Sequence, residues 1–439
     1  MEGGAGAPAR RVGYAADLDE RRRTQGESAN WIGGAWRPAV AGDSFAAGAG
    51  GRARAGGREG SWPRSTAEDL ALARAEAGAG ASVWRALDPG RRRTVLQGSL
   101  IRLAHAGEEL GRDLGLGPGD GEPALCDGLE RLETTLVEGA SAPDAAGTFT
   151  LVRAAAAVGL DGLCRTVLET LAGGGALLLL SDPAWPAAAL AVARSLDEAG
   201  LPPGVLSLLH DDGLTVLRAA LGRSDLGRVR LSGPPELCER VRRAASGALQ
   251  PFGAGVIDLA ESPLDLCSPA NSTAFVLGDE DPRAAALALV ERSMGPAASF
   301  SGQRDGQVGR AVVHQRLFSE LTVALLEAVD ALGPPAALLD PGLAHERQER
   351  LRLGMDEGAT LLRGSPGSAA GSRGVSGEGI LSPCVFTNVE PGMRLAAARR
   401  PIPMLCLLRA HDDAAARALA LDLDHSAPSA SASDPTLRP

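Results

Sequence analysis

From about residue 148 the chain alternates short apolar runs with longer segments whose apolar residues recur at helical spacing. The run at 176–180 (ALLLL) is continuously apolar, the signature of a strand buried on both faces of a parallel sheet. The segment 186–199 reads as a helix that Gly200 closes. Strands are predicted at 205–209 and 229–232, with a helix at 214–221 between them. A further helix at 235–246 and a strand at 256–259 continue the alternation. This βαβαβ rhythm predicts an α/β fold with a doubly wound, right-handed parallel sheet. Ligands of such sheets sit beyond the carboxyl ends of the strands. A second α/β region follows, with helices near 282–294 and 316–332.

Ahead of the alternation, residues 1–64 read as a loosely structured segment holding one short hairpin. The hairpin is Asn30-Trp31-Ile32-Gly33-Gly34-Ala35-Trp36, with a Gly-Gly turn. Ser65 or Thr66 caps a helix whose first turn carries Glu68 and Asp69. A second helix runs from about Arg91 through Leu103. The expected organisation is 1–64, a Rossmann-like cofactor-type domain at 65–265, a catalytic-type α/β domain at 266–425 and a disordered tail at 426–439. The Gly/Ser stretch 363–378 reads as a surface loop.

Composition narrows the chemistry. The 439 residues carry 44 basic side chains, and every one is arginine. Without lysine there is no P-loop lysine, no Schiff base to pyridoxal phosphate and no kinase lysine. The net charge of -10 and an aromatic content of 3% exclude nucleic acid and anionic membrane as expected partners. The first residues lack an apolar core for a secretory signal, so the cytoplasm is the expected compartment. Six scattered cysteines form no CxxC pair and six histidines show no metal spacing, so no metal site is expected. The triplet Arg91–Arg93 reads as a solvated helix face.

Several short strings, in order, resemble the aldehyde dehydrogenase superfamily. They are NWIGGAW at 30–36, Trp84 with Pro89 and Arg92, EAGLPPGV at 198–205, GMDEGATLL at 354–362 and GEGILSPCVFTNVEPGM at 377–393. The resemblance implies a Rossmann-like sheet plus a second catalytic-type domain. It also implies a thiolate nucleophile, a thioester and hydride transfer to NAD(P).

The site positions depart from that pattern together. Gly302 and Gln303 open the expected nucleophilic loop, but the cysteine position holds Asp305. A carboxylate is a poor nucleophile toward an aldehyde, and its adduct expels it before hydride transfer. The general-base position holds Asp258, with Glu261 close by as a solvated neighbour. The asparagine that would stabilise the oxyanion aligns with Ala157. The lysine that would contact the ribose aligns with Leu180 or Ser181, and the ribose-clamping glutamates with 398–403 (ARRPIP). At the pyrophosphate position Gly233 is kept, while Pro234 and Pro235 remove two amide donors. Gly233 and Glu236 are the remaining candidates for cofactor contact.

Two architectural departures go with these. The subunit-bridging hairpin of the family has only 138–146 to form it, and the chain stops soon after His425. The resemblance therefore implies a C-terminally truncated fold and argues against a family-type homo-oligomer. The function it implies is a catalytically inactive member acting as a regulatory or structural partner, with an active aldehyde dehydrogenase paralogue as the expected partner and no cofactor expected. The degenerate half of the family-16 aldehyde dehydrogenases is a similar case. The alternative is an NAD(P)-dependent oxidoreductase acting on aldehydes through an unorthodox site.

Overall fold

The computed structural model describes residues 29–46, 61–106, 149–212, 214–222, 225–245, 264–295, 305–332, 342–364 and 382–425. The element order begins β1 (Asn30–Ile32), β2 (Ala35–Arg37), β3 (Ser44–Ala46), β4 (Ser61–Pro63), α1 (Ala67–Ala86) and α2 (Pro89–His105). It continues β5 (Phe149–Arg153), α3 (Gly159–Ala172), β6 (Ala176–Ser181), α4 (Pro186–Glu198), β7 (Leu206–His210), α5 (Thr215–Leu221), β8 (Leu226–Ser232), α6 (Pro235–Ala245) and β9 (Leu264–Cys267). A second unit holds β10 (Ser272–Val276), α7 (Pro282–Met294), β11 (Val308–His314), α8 (Phe318–Asp330), α9 (Gly342–Asp356), β12 (Thr360–Arg363), β13 (Cys384–Thr387), α10 (Arg394–Ala397), β14 (Met404–Ala410) and α11 (Asp413–His425).

The first sheet has seven strands in the order β2-β1-β7-β6-β5-β8-β9. Strands β5 to β9 are parallel, and β6 is buried at every position, as a continuous apolar run requires. Helices α2, α3 and α4 pack on one face, and α1, α5 and α6 on the other. The second sheet, β10-β11-β14-β13-β12, is parallel apart from β12 and carries α7 and α8 on one face and α9, α10 and α11 on the other. Both units are three-layer α/β sandwiches, as the alternation predicts.

Two sequence expectations change. The segment read as loose is woven into the first sheet: β1 and β2 form the predicted hairpin, and Trp31 of β1 pairs with Leu208 of β7. Trp31 and Ile32 gain burial there that a free hairpin could not supply. The passage between sheets falls after Cys267, inside the region assigned to the second unit, because β9 pairs with β8 as far as Ser232↔Cys267. The expected strand at 256–259, the hairpin segment 138–146 and the tail 426–439 lie outside the described residues.

Three local devices hold the first unit. Thr66 and Asp69 form a capping box at the start of α1. Fully buried Trp84 donates its indole N–H to the Leu171 carbonyl at 2.7 Å, docking α1 on the end of α3. The turn in EAGLPPGV places Gly204 at φ 81°, and a Cβ on Gly80 of α1 would stand 2.3 Å from the Gly204 carbonyl carbon. Two glycines thus let helix and turn touch backbone to backbone.

The second unit is organised by Arg310, 1% exposed on β11. Its guanidinium donates to Thr273 Oγ1 (2.9 Å), the Ala396 carbonyl (3.0 Å), the Asn271 carbonyl (3.0 Å) and Asp424 Oδ1 (3.3 Å). One head therefore ties β10, α10 and α11 to the central strand. Burial pushes its pKa down, and Asp424 opposes that shift.

The clash at Gly80 is with backbone and cannot be relieved by a rotamer change, so Gly80→Ala is expected to cost about 3 kcal/mol. A urea-melt midpoint unchanged from the wild type would count against this close approach.

Candidate functional site at the carboxyl edge of the first sheet

The chain runs β5, β6, β7 in one direction across the first sheet and then returns to β8 on the other side of β5. The switch point thus lies at β5, bordered by the loop after β5 and the loop after β8, where a doubly wound sheet takes its ligands. In this chain those loops are bonded to each other. Ala155 N–H donates to Ser232 Oγ at 2.6 Å. Asp182, just after β6, accepts from Ala156 N–H (2.9 Å) and Ala184 N–H (2.9 Å). The cleft beside them, lined by residues that include Ala154, Ala156, Leu180, Asp182 and Trp185, has a free volume of about 10 Å³, room for roughly one water.

The second unit joins the same edge through Asp305. Its N–H donates to the Ala157 carbonyl at 2.7 Å, and its Oδ1 accepts from Ala270 N–H at 2.8 Å. The next residue, Gly306 at φ 75°, donates to the Ala270 carbonyl at 2.9 Å. The residues that sequence comparison placed at the nucleophile and oxyanion positions are therefore neighbours in space. Asp258, Glu261, Gly302 and Gln303 lie outside the described residues.

Residues 160–427 match the model of the aldehyde dehydrogenase family. The chain belongs to the aldehyde dehydrogenase family. It is 27% identical over 267 residues to an alpha-ketoglutarate semialdehyde dehydrogenase of Haloferax volcanii, a match covering 58% of this chain and 51% of that protein. It is also 27% identical over 391 residues to a malonate-semialdehyde dehydrogenase of Geobacillus thermodenitrificans, covering 80% and 74%. The chain thus spans about half the length of the first of these curated relatives. Among solved structures it is similar to the aldehyde dehydrogenase KauB of Pseudomonas aeruginosa, with a TM-score of 0.76, 19% identity and coverage of 93% and 84%. A mutant aldehyde dehydrogenase of Pseudomonas syringae, solved with NAD+ and octanal, gives a TM-score of 0.72 at 21% identity, covering 90% and 82%. At these identities the structural likeness shows the fold alone.

Against an aldehyde dehydrogenase pattern, several groups at the compared positions are engaged within the protein. Leu180 and Ser181, at the lysine position, are each 1% exposed. The Gly233 N–H donates to the Cys267 carbonyl at 3.0 Å, and a Cβ on Gly233 would meet Leu237 at 2.9 Å. In the first turn of α6, Pro235 has no N–H and Leu237 N–H donates back to the Pro234 carbonyl (2.9 Å), while Glu236 is exposed. At the position of the ribose-clamping glutamates, Arg400 pairs with Glu346 at 2.9 Å, and its carbonyl accepts from Arg350 at 2.8 Å. Arg350 also pairs with Glu346. Arg399 donates to the Leu423 and Asp424 carbonyls that end α11 (2.6 and 3.0 Å). These arginines splice α9, α11 and the 398–403 segment together.

Among the described residues the thiols offer no nucleophile. Cys164, Cys238, Cys384 and Cys406 are buried, and burial pushes each of them up, to about 12 for Cys406. Cys267 is half-buried, and burial, followed by the Asp305 charge, raises it to about 12. Among the described residues no group of three His, Cys, Asp or Glu is placed to hold a metal ion, and no helix is long and apolar enough to cross a membrane.

Sequence reading missed one polar cluster. Ser181 Oγ and His210 Nδ1 lie 2.8 Å apart at the ends of β6 and β7. Both are buried, with the Trp62 ring 5.1 Å from the imidazole. The His210 N–H donates to Ser65 Oγ (3.1 Å), and Ser65 Oγ donates to Asn30 Oδ1 (2.8 Å), so the cluster fastens the N-terminal strands to the sheet. A histidine at the end of an apolar strand carries no short-range signal of this role.

Burial pushes the His210 pKa from 6.5 to about 3, and the Ala29 carbonyl beside the ring opposes this. The folded value lies below the unfolded one, so the unfolded chain takes up the proton first and stability is lost as pH falls below 6.5. The loss is expected at about 1.4 kcal/mol per pH unit toward pH ~4. His210→Asn should remove that share of the slope in urea melts; equal slopes for variant and wild type would refute the assignment.

Proposed function

We propose that this aldehyde dehydrogenase family member has given up thiolate chemistry and serves as a regulatory or structural partner of an active family member. The observation that carries this reading is Asp305. The residue at the nucleophile position spends its amide on Ala157 and its carboxylate on the Ala270 amide. Its amide ties the second unit to Ala157 of the first, while its carboxylate holds the Ala270 turn within the second unit. A carboxylate held this way is no substitute for a thiolate, and Ala157 has no side-chain donor for an oxyanion.

The family implies NAD(P), and the residues at the corresponding positions do not fit a dinucleotide held in the family manner. Leu180, Ser181, Arg399 and Arg400 are buried or bonded within the protein, and the start of α6 has lost donors to prolines. A second reading, an NAD(P)-dependent oxidoreductase with an unorthodox site, draws support from relatives named as semialdehyde dehydrogenases and from similar structures solved with NAD+.

Purified protein supplied with NAD or NADP and a panel of aldehydes is expected to give no NAD(P)H absorbance above the uncatalysed background. Calorimetric titration is expected to show no saturable dinucleotide binding. Saturable binding together with aldehyde-dependent NAD(P)H formation would establish the second reading instead. For the partner role, affinity purification from the native cell is expected to recover a full-length aldehyde dehydrogenase in stoichiometric amount.

Asp305→Cys separates the structural role of the carboxylate from that of a nucleophile. It is expected to remain inactive, because Ala157 still offers no oxyanion donor. Loss of the charge-assisted bond to Ala270 should lower stability by about 1–2 kcal/mol. Activity in this variant, or unchanged thermal stability, would contradict the structural role of the Asp305 carboxylate.

A further inference from the structure

At the opposite edge of the first sheet, the head of one arginine and the stem of another border one glycine turn. Arg85 lies in the last turn of α1 and Arg92 near the start of α2. Residues 173–175, between α3 and β6, are all glycine. A Cβ on Gly174 (φ 86°) would stand 3.0 Å from Arg92 Nη1 and 3.8 Å from Arg85 Cγ. The expectation that Arg91–Arg93 form a solvated face therefore fails at the middle residue: Arg91 and Arg93 are exposed, while Arg92 turns inward and is half-buried.

Among the described residues the pair has no counter-charge. Nε and Nη2 of Arg85 and Nε of Arg92 are buried without a hydrogen-bond partner, and neither residue has an ion pair among the described residues. The nearby carboxylate of Asp88 is spent on capping α2, where Oδ1 accepts from Gly90 N–H (2.8 Å) and Arg91 N–H (3.2 Å). Guanidinium nitrogens withdrawn from water without a partner are unfavourable by desolvation. A planar guanidinium fork matches the geometry of a tetrahedral oxyanion, and the glycine turn lets the Arg92 head lie directly against its backbone.

We propose that Arg85, Arg92 and the glycine turn 173–175 form a binding site for a doubly charged oxyanion of phosphate size. The site is at the amino end of β6, away from the edge where Asp305 meets Ala157, and it does not rest on the pseudoenzyme reading. An anion bound there would join the α1–α2 junction to the α3–β6 turn.

The test is thermal melting in phosphate-free buffer with added inorganic phosphate, against potassium chloride at equal ionic strength. Wild type is expected to show a saturable rise on the order of 2 °C with phosphate alone. Arg85→Gln and Arg92→Gln should lose that rise, and Arg91→Gln should keep it. Arg85→Met should also melt at or above wild type without phosphate and below it at saturation, since it removes an uncompensated charge. The proposal is overturned if chloride gives the same rise, if both Gln variants keep it, or if Arg85→Met melts below wild type in both buffers. Should the variants not fold, calorimetric titration of wild type with inorganic phosphate decides: a one-site isotherm supports the site, and the absence of saturable heat removes it.

Discussion

Parallel strands that stop together leave amides and carbonyls that must find partners, and the rest of this structure depends on how the first sheet meets that demand. In a ligand-binding sheet the loop amides at the carboxyl edge can be reserved for the ligand. Here the protein consumes them. Ser232 takes the Ala155 amide, Asp182 takes the Ala156 amide, and Asp305 closes the chain of bonds from Ala157 to Ala270. Because the bond from the Asp305 amide to the Ala157 carbonyl crosses between the two units, satisfying the edge and joining the units are one event.

A second constraint comes from building every cationic contact with arginine. A guanidinium presents five donors in a plane, so one buried head can serve several acceptors at once. Arg310 does this for four groups on three elements, and the Arg350–Glu346–Arg400 set does it between α9 and the 398–403 segment. A lysine ammonium, with three donors and no planar fork, could not span those partners. The arginine-only composition looks at first like bias in usage. In the second unit it has become the means by which irregular segments are held to a parallel sheet.

Legibility followed the range of the physics involved. The helix at 282–294 was readable to the residue because Asp281 caps it and Pro282 starts it, both local signals. The run at 176–180 was readable because only burial on both faces tolerates such a sequence. Helix α9 was missed: its segment reads GLAHERQERLRLGMD, charged and without a clear apolar stripe, and its inward arginines are paid for by contacts far along the chain. The strands β1 and β2 looked like an isolated hairpin because their partner, Leu208, lies more than 170 residues away. At the site, Asp305 and Ala157 could be named from order and spacing, whereas the Ser181–His210 cluster could not.

The residues alone determined which chemistry the chain can hold: no lysine, Asp305 and Ala157 where a thiol and an amide would act, and prolines at 234 and 235 where helix amides would be free. Those are statements about side-chain identity and survive any arrangement of the backbone. Only the tertiary structure decided what these residues do instead. It set the Asp305 amide against Ala157 across the units and its carboxylate on Ala270, turned Arg92 inward out of an apparently solvated triplet, and set Arg310 beneath three elements. The reason is the reach of the interactions. Periodicity and capping act within a few residues, while the partner of a buried charge or a leftover amide is set by which distant segments the packing brings alongside it.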